Sequence, residues 1–143
     1  MKLKGLIILY ICLMNKKILL FAAVSGALAV MLGALGAHAL KEWVDASQLQ
    51  VFETAVRYQM YHSLGLLFVS LLAEKIPSKN ILRTGYCFMA GIILFSGSLY
   101  FLSLRSLFGI EGYGWIGAVT PLGGLSFIAG WLLIFFAALK SKS

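Results

Sequence analysis

Acidic side chains are scarce in this sequence. Only five Asp and Glu stand among 143 residues, against twelve Lys and Arg, and charged residues make up 12% of the chain. Ordinary soluble domains carry about 25%. The five acids lie mostly in loops, and nothing resembles a carboxylate dyad, a catalytic triad or a phosphate loop. No catalytic residue is assigned. Cysteine is just as rare: Cys12 and Cys87 lie in apolar stretches without metal-type spacing. Neither a disulfide nor a metal site is expected from them, and no cofactor is expected.

What is abundant is apolar. Hydrophobic residues make up 61% of the chain, against about 45–50% in soluble domains. A soluble domain of this size needs more polar surface than that. The class is therefore an integral membrane protein, built as one domain. The net charge is +7. In a soluble chain that suggests nucleic acid. Here the charge sorts by loop, so it is read as topology with no nucleic-acid partner.

Stretches of near twenty uncharged apolar residues mark membrane spans. They fall at about 18–40, 56–73, 85–104 and 117–139. Residues 1–13 stand apart: "MKLKGLIILYICL" precedes a second start-like stretch, "MNKKILLF". The run Gly5–Met14 is too short to span, and no small-x-small cleavage site follows it. Two readings stand. One is an interfacial segment. The other, which is the expectation, is an untranslated extension chosen with an upstream start codon, Met14 being the first residue and 14–143 the membrane domain.

Lys and Arg then set orientation. Lys2, Lys4, Lys16, Lys17, Lys75, Lys79, Arg83, Lys140 and Lys142 fall on one side, and Lys41, Arg57 and Arg105 on the other. The positive-inside rule puts both termini in the cytoplasm. The expected fold is an all-α, four-helix transmembrane bundle. Helix ends sharpen it. "DASQ" at 45–48 reads as a capping box opening the second helix at Ala46, with Glu53 and Arg57 paired one turn apart. Pro77 closes the cytoplasmic loop. In "TPLGG", Thr120 reads as N-cap with Pro121 at the first helical position. The competing reading keeps 115–119 helical and kinks at Pro121.

Lipid supplies no hydrophobic drive between helices, so small residues must pack them. Ser25, Ala29, Gly33 and Ala37 recur at i+4 in the first span, opposite Leu28, Met31, Leu32 and Leu35. Shorter stripes are Cys87, Gly91 and Ser98, and Gly123, Gly124, Ser126 and Gly130. A homo-oligomer through a spare stripe is an alternative use of them.

The second span carries polar residues. At about 100° per residue, Tyr58, His62, Gln59, Ser63 and Ser70 share one face, and Leu64, Leu67, Phe68 and Leu71 the other. The polar face should point into the bundle. In one reading Gln59 and His62 bond to neighbouring helices and fix their register, each bond worth on average about 0.6 and at most about 1.7 kcal/mol. In the other, Tyr58, Gln59, His62 and His38 form an intramembrane site for a small polar or anionic ligand, a proton or a metal. The helix N-terminus at Thr120, Pro121, Gly123 and Gly124 then offers N–H groups at the same level. Haem between His38 and His62 is the third and least favoured reading.

Four motifs together resemble the YgdD/YwdK-type family of small four-span bacterial inner-membrane proteins, related to a short animal transmembrane protein. They are "LGALGAHALK" (32–41), "FETAVRYQMYHSLGLL" (52–67), "FSGSLYFLSL" (95–104) and "TPLGGLSFIAGWLLI" (120–134). The resemblance implies a multi-pass protein of the cell inner membrane beginning near Met14. It brings no activity, ligand or catalytic residue. The expected function is a non-enzymatic accessory or assembly protein working with the lipid bilayer and a larger membrane complex. The alternative is a small oligomeric transporter or channel with its polar site at Gln59 and His62.

Overall fold

Asp45 starts the second helix, and the bundle is organised around that helix. Its backbone is extended (φ −70°, ψ 165°). Its carboxylate accepts from the Gln48 N–H at 2.9 Å, and Gln48 Oε1 accepts from the Asp45 N–H at 3.2 Å. This is the expected capping box, and Ser47 Oγ donates a second bond to the carboxylate at 2.7 Å. The Gln48 N–H, and after it the Ser47 hydroxyl, hold the Asp45 carboxyl below its usual range. The cap opens α2, Ala46–Lys75, of 30 residues, about 45 Å long. That exceeds a hydrocarbon core of about 30 Å, so its first turns project from the apolar zone. Glu53 and Arg57 pair there at 3.8 Å, as expected.

The computed structural model describes residues 2–76, 79–110 and 112–140, with only the backbone of 2–14. Pro77, Glu111, Lys142 and the Cys12 side chain lie outside the described residues. Before α2 comes α1, Lys2–His38, followed by a short turn at Leu40–Glu42. The backbone of α1 runs unbroken through the expected boundary near Met14. After α2 comes one long rod: α3 (Lys79–Gly91), a π-turn (Ile92–Ser96) and α4 (Gly97–Leu104), extended by a 3-10 turn at Arg105–Phe108. A second 3-10 turn, Gly114–Ala118, leads into α5, Val119–Lys140. The described residues contain no strand.

Two sequence expectations need correction here. Thr120 is not the N-cap of the last helix: the 3-10 turn and then Val119 precede it. Its hydroxyl bonds to Ser98 Oγ of α4 at 2.7 Å instead. Pro121 falls in the first turn of α5, where a missing N–H leaves no intrahelical bond unmade. The i+4 stripe of α1 is also only half right. Ser25 and Ala29 are buried, but Gly33 is half-buried and Ala37 exposed. The buried line is Ile18, Ala22, Ser25, Ala29, Gly36 and Leu40. Four-residue steps advance by about 400° and spiral off the contact, whereas alternating steps of three and four hold a seam of period about 3.5. On α2 the contacts with α1 keep the same spacing, through Phe52, Val56, Gln59, Ser63 and Ser70. The opposite row of α1, with Leu28, Met31 and Leu35, is exposed as expected.

Helices that follow one another in the chain, the long rod counted as one, are antiparallel. Pairs Gly26–Ser63, Gly33–Val56 and Gly36–Phe52 step in opposite directions along α1 and α2. Gly91–Phe127, Phe95–Gly123 and Ser98–Thr120 do the same along the long rod and α5. Three close approaches are in this second interface, at Gly91, Gly123 and Gly130. A Cβ on Gly130 would lie 2.5 Å from Phe88, and one on Gly123 would meet the backbone nitrogen of Phe95.

The outside of the bundle is apolar. Asn15–Glu42, Lys79–Phe108 and Gly114–Lys140 are each long and apolar enough to cross a bilayer, yet only 22%, 33% and 22% of their most apolar windows are buried. So Leu20, Val24, Val30, Leu71, Ile93 and Leu125 point outward, which in water would be an aggregation surface and in lipid is solvation. Trp43, Phe108, Tyr113 and Trp115 are exposed around one end, the pattern of an aromatic belt.

Candidate functional site

The polar face of α2 turns inward, and its groups are matched one by one. Gln59 is 5% exposed. Its Nε2 donates to the Ser25 carbonyl of α1 at 2.9 Å. Its Oε1 accepts from the Tyr100 hydroxyl of α4 at 2.8 Å. One amide thus ties three helices. One turn on, Ser63 Oγ bonds to Ser25 Oγ at 2.8 Å and donates to the Gln59 carbonyl at 2.7 Å. Toward the other end, Ser70 Oγ donates to Asn15 Oδ1 at 2.6 Å. Between the rod and α5, Thr84 Oγ1 reaches the Gly130 carbonyl at 3.3 Å.

His62 is held from both nitrogens. Nδ1 lies 2.8 Å from the Tyr58 carbonyl, and a carbonyl only accepts, so Nδ1 carries the hydrogen. Nε2 is then the acceptor for the Trp131 indole N–H at 3.3 Å. This fixes the tautomer. The ring stacks on Phe127 with centroids 3.4 Å apart at 12°, and Phe88 meets it edge-on at 5.1 Å. The imidazole is therefore a joint between α2 and α5 inside an aromatic shell.

Not every residue singled out in the sequence joins it. Tyr58 contributes its carbonyl, but its side chain is 40% exposed and its ring packs on Phe95 at 4.6 Å. His38 is exposed at the end of α1 and shares none of His62's contacts, so the reading that joins the two histidines is corrected. The two sit on separate surfaces because the seam of α1 turns Gly36 and Leu40, not His38, inward. Among the described residues no three metal-ligating side chains group together. Gly123 is buried and Gly124 half-buried against Phe95, so the start of α5 is a packing surface there. Sequence reasoning missed Tyr100 as the partner of Gln59, although an aromatic hydroxyl in a span has to find one. It also missed the π-turn. In that turn Ser96 Oγ is buried and, among the described residues, is the only such side-chain oxygen without a partner.

Apolar helices facing outward and polar groups paired inward define a multi-pass helical membrane protein. The chain belongs to the family described as "Protein of unknown function (DUF423)", whose model matches residues 32–124. It is 44% identical over 126 residues to the UPF0382 membrane protein YwdK of Bacillus subtilis, covering 87% of this chain and 98% of that one. A UPF0382 membrane protein of Staphylococcus epidermidis is 40% identical over 125 residues, 87% of this chain and 97% of its own. The UPF0382 inner membrane protein YgdD of Escherichia coli is 37% identical over 128 residues, 90% and 93% of the two chains. No solved structure matches. The family read from the four motifs is therefore the right one, and the protein is a multi-pass protein of the cell inner membrane.

Proposed function

We infer that this protein is a four-span, non-enzymatic accessory or assembly factor of a larger membrane complex, with both termini in the cytoplasm. The observation that carries the reading is the use of Gln59 and His62 as joints between helices. Both ends of the amide are taken by neighbouring helices, and the ring is held between its own helix at Nδ1 and Trp131 of α5 at Nε2. Groups used in this way specify register, and both side chains are buried between helices. The outward apolar faces of α1 and α5 are what the protein offers to others, in lipid or against a partner helix.

The fourth span is α2. Its mean hydropathy is lowered by Gln59, His62, Ser63 and Ser70, but these side chains are buried. Lipid meets Leu64, Phe68 and Leu71 instead. From Arg57 to Lys75 the helix rises roughly 27 Å, close to the thickness of a hydrocarbon core. Reporter fusions at Ser143 and within 76–78 should report cytoplasm, and one within 109–114 the periplasm. A periplasmic signal at Ser143 would refute the four-span topology.

The accessory reading is tested by purification of the tagged full chain in mild detergent, with native mass and visible absorbance recorded. A stoichiometric second protein is expected, without a Soret band. A bare homo-oligomer that carries solute flux in liposomes would establish the transporter instead.

A further inference from the structure

The two ends of the bundle differ in charge. At one end Lys41, Arg57 and Arg105 are balanced by Glu42, Asp45 and Glu53. At the other, Lys16, Lys17, Lys75, Lys79, Arg83 and Lys140 are all exposed, with Glu74 the only acid. Among the described residues none of these six has an ion pair; Arg57 and Glu53 pair at the opposite end.

The six are not spread evenly. α1 and α3 run in the same direction and touch where Ile18 fills the space over Gly85, its Cγ1 2.9 Å from where a Cβ would stand. Counting about 1.5 Å per residue, Arg83 sits about 3 Å below Gly85 along its axis, and Lys16 and Lys17 within about 3 Å below Ile18. Lys79 is one turn further down. On α3, Lys79, Arg83 and Tyr86 form one exposed row at i, i+4 and i+7, the spacing of a single helix face. Tyr86 lies on the side toward the apolar zone, at the level where an aromatic ring sits among headgroups. Four exposed cations on two touching helices thus stand at nearly one level, at the membrane boundary and beside apolar helix faces.

We propose that this α1/α3 boundary, Lys16 and Lys17 with Lys79 and Arg83, is a binding surface for anionic phospholipid headgroups. The chemistry is that of a juxtamembrane basic cluster: diffuse positive charge for the phosphate and apolar helix walls for the acyl chains. Placing it in the cytoplasmic leaflet rests on the topology proposed above; the preference for anionic lipid does not, and the fusions test the topology separately.

The test uses the full chain in phosphatidylcholine vesicles containing spin-labelled phosphatidylglycerol or spin-labelled phosphatidylcholine. Electron spin resonance reads the fraction of each lipid immobilised on the protein. Phosphatidylglycerol should associate severalfold more strongly. Lys79→Gln/Arg83→Gln should bring that ratio close to unity, and added salt should weaken it. Lys79→Arg/Arg83→Lys should keep it, as should Lys41→Gln/Arg105→Gln at the opposite end. Should the double Gln variant lose helicity, Lys16→Gln/Lys17→Gln serves as the same test. Replacing chloride by inorganic phosphate at equal ionic strength should leave the ratio unchanged; its loss would mean a free-phosphate site and overturn the proposal. Equal association of the two lipids with the native chain, or a preference that survives neutralisation of both cation pairs, overturns it as well.

Discussion

Gly123→Ala is expected to destabilise the bundle by about 1–3 kcal/mol, the usual range for an overpacked site, although alanine is the better helix former by about 1 kcal/mol. The cause is what the new methyl would meet. On Gly123 a Cβ would run into the backbone nitrogen of Phe95 and lie 2.7 Å from its Cβ and 2.8 Å from its Cα. A flexible side chain could swing away; a backbone cannot without moving the helix that carries it. Phe95 belongs to the π-turn, whose wider coil projects the rod's backbone toward α5. Glycine at 123 is what admits that projection. Gly33→Ala is the matched control. There a Cβ would stand 3.4 Å from Val56 Cγ1, ordinary contact, and the change should be neutral or slightly stabilising. Thermal unfolding of the two variants in one detergent decides. A neutral Gly123→Ala beside a costly Gly33→Ala would move the critical interface back to α1 and α2.

The contrast between these glycines shows how far the sequence could be read. Lipid favours small residues at helix contacts in general, so stripes on three helices were visible, and so was the inward polar face of α2. The share of the load each stripe bears was not. Gly33 and Gly123 look alike in sequence; they differ because one faces a valine side chain and the other a displaced backbone. That displacement arises in "IILFS", which contains neither proline nor glycine to announce a π-turn. The capping box at Asp45 and the Glu53–Arg57 pair were legible because both are local. Thr120 misled for the opposite reason. Its preferred local role as a cap lost to Ser98, a partner 22 residues away in sequence. The His62 environment was half legible: its face followed from periodicity, but not its partners Trp131 and Phe127, which depend on the register of α5.

Gln59→Leu should cost about 1–3 kcal/mol, the penalty for leaving a buried polar partner unmatched, and the loss should be recoverable at a second residue. Leucine is close in volume to glutamine and more apolar, so the packing term is small. The Ser25 carbonyl loses only an extra donor. The Tyr100 hydroxyl loses the acceptor it meets at 2.8 Å, and half-buried between helices it has no water in lipid to replace it. Tyr100→Phe alone keeps the Nε2 bond to Ser25 but leaves the buried Gln59 Oε1 without its donor, so it should cost a similar amount. In Gln59→Leu/Tyr100→Phe neither group remains to be orphaned, and the double variant should be more stable than the sum of the single losses. The coupling from this cycle should fall between about 0.6 and 1.7 kcal/mol, the average and maximum for hydrogen bonds inside membrane helices. Additive losses would show that Gln59 and Tyr100 do not act as a pair. The double variant also separates register from chemistry. If Gln59 only aligns helices, Gln59→Leu/Tyr100→Phe should still copurify with the native partner, because its helices sit in the same register. If the amide handles a ligand, the partner or phenotype should be lost while the unfolding temperature recovers.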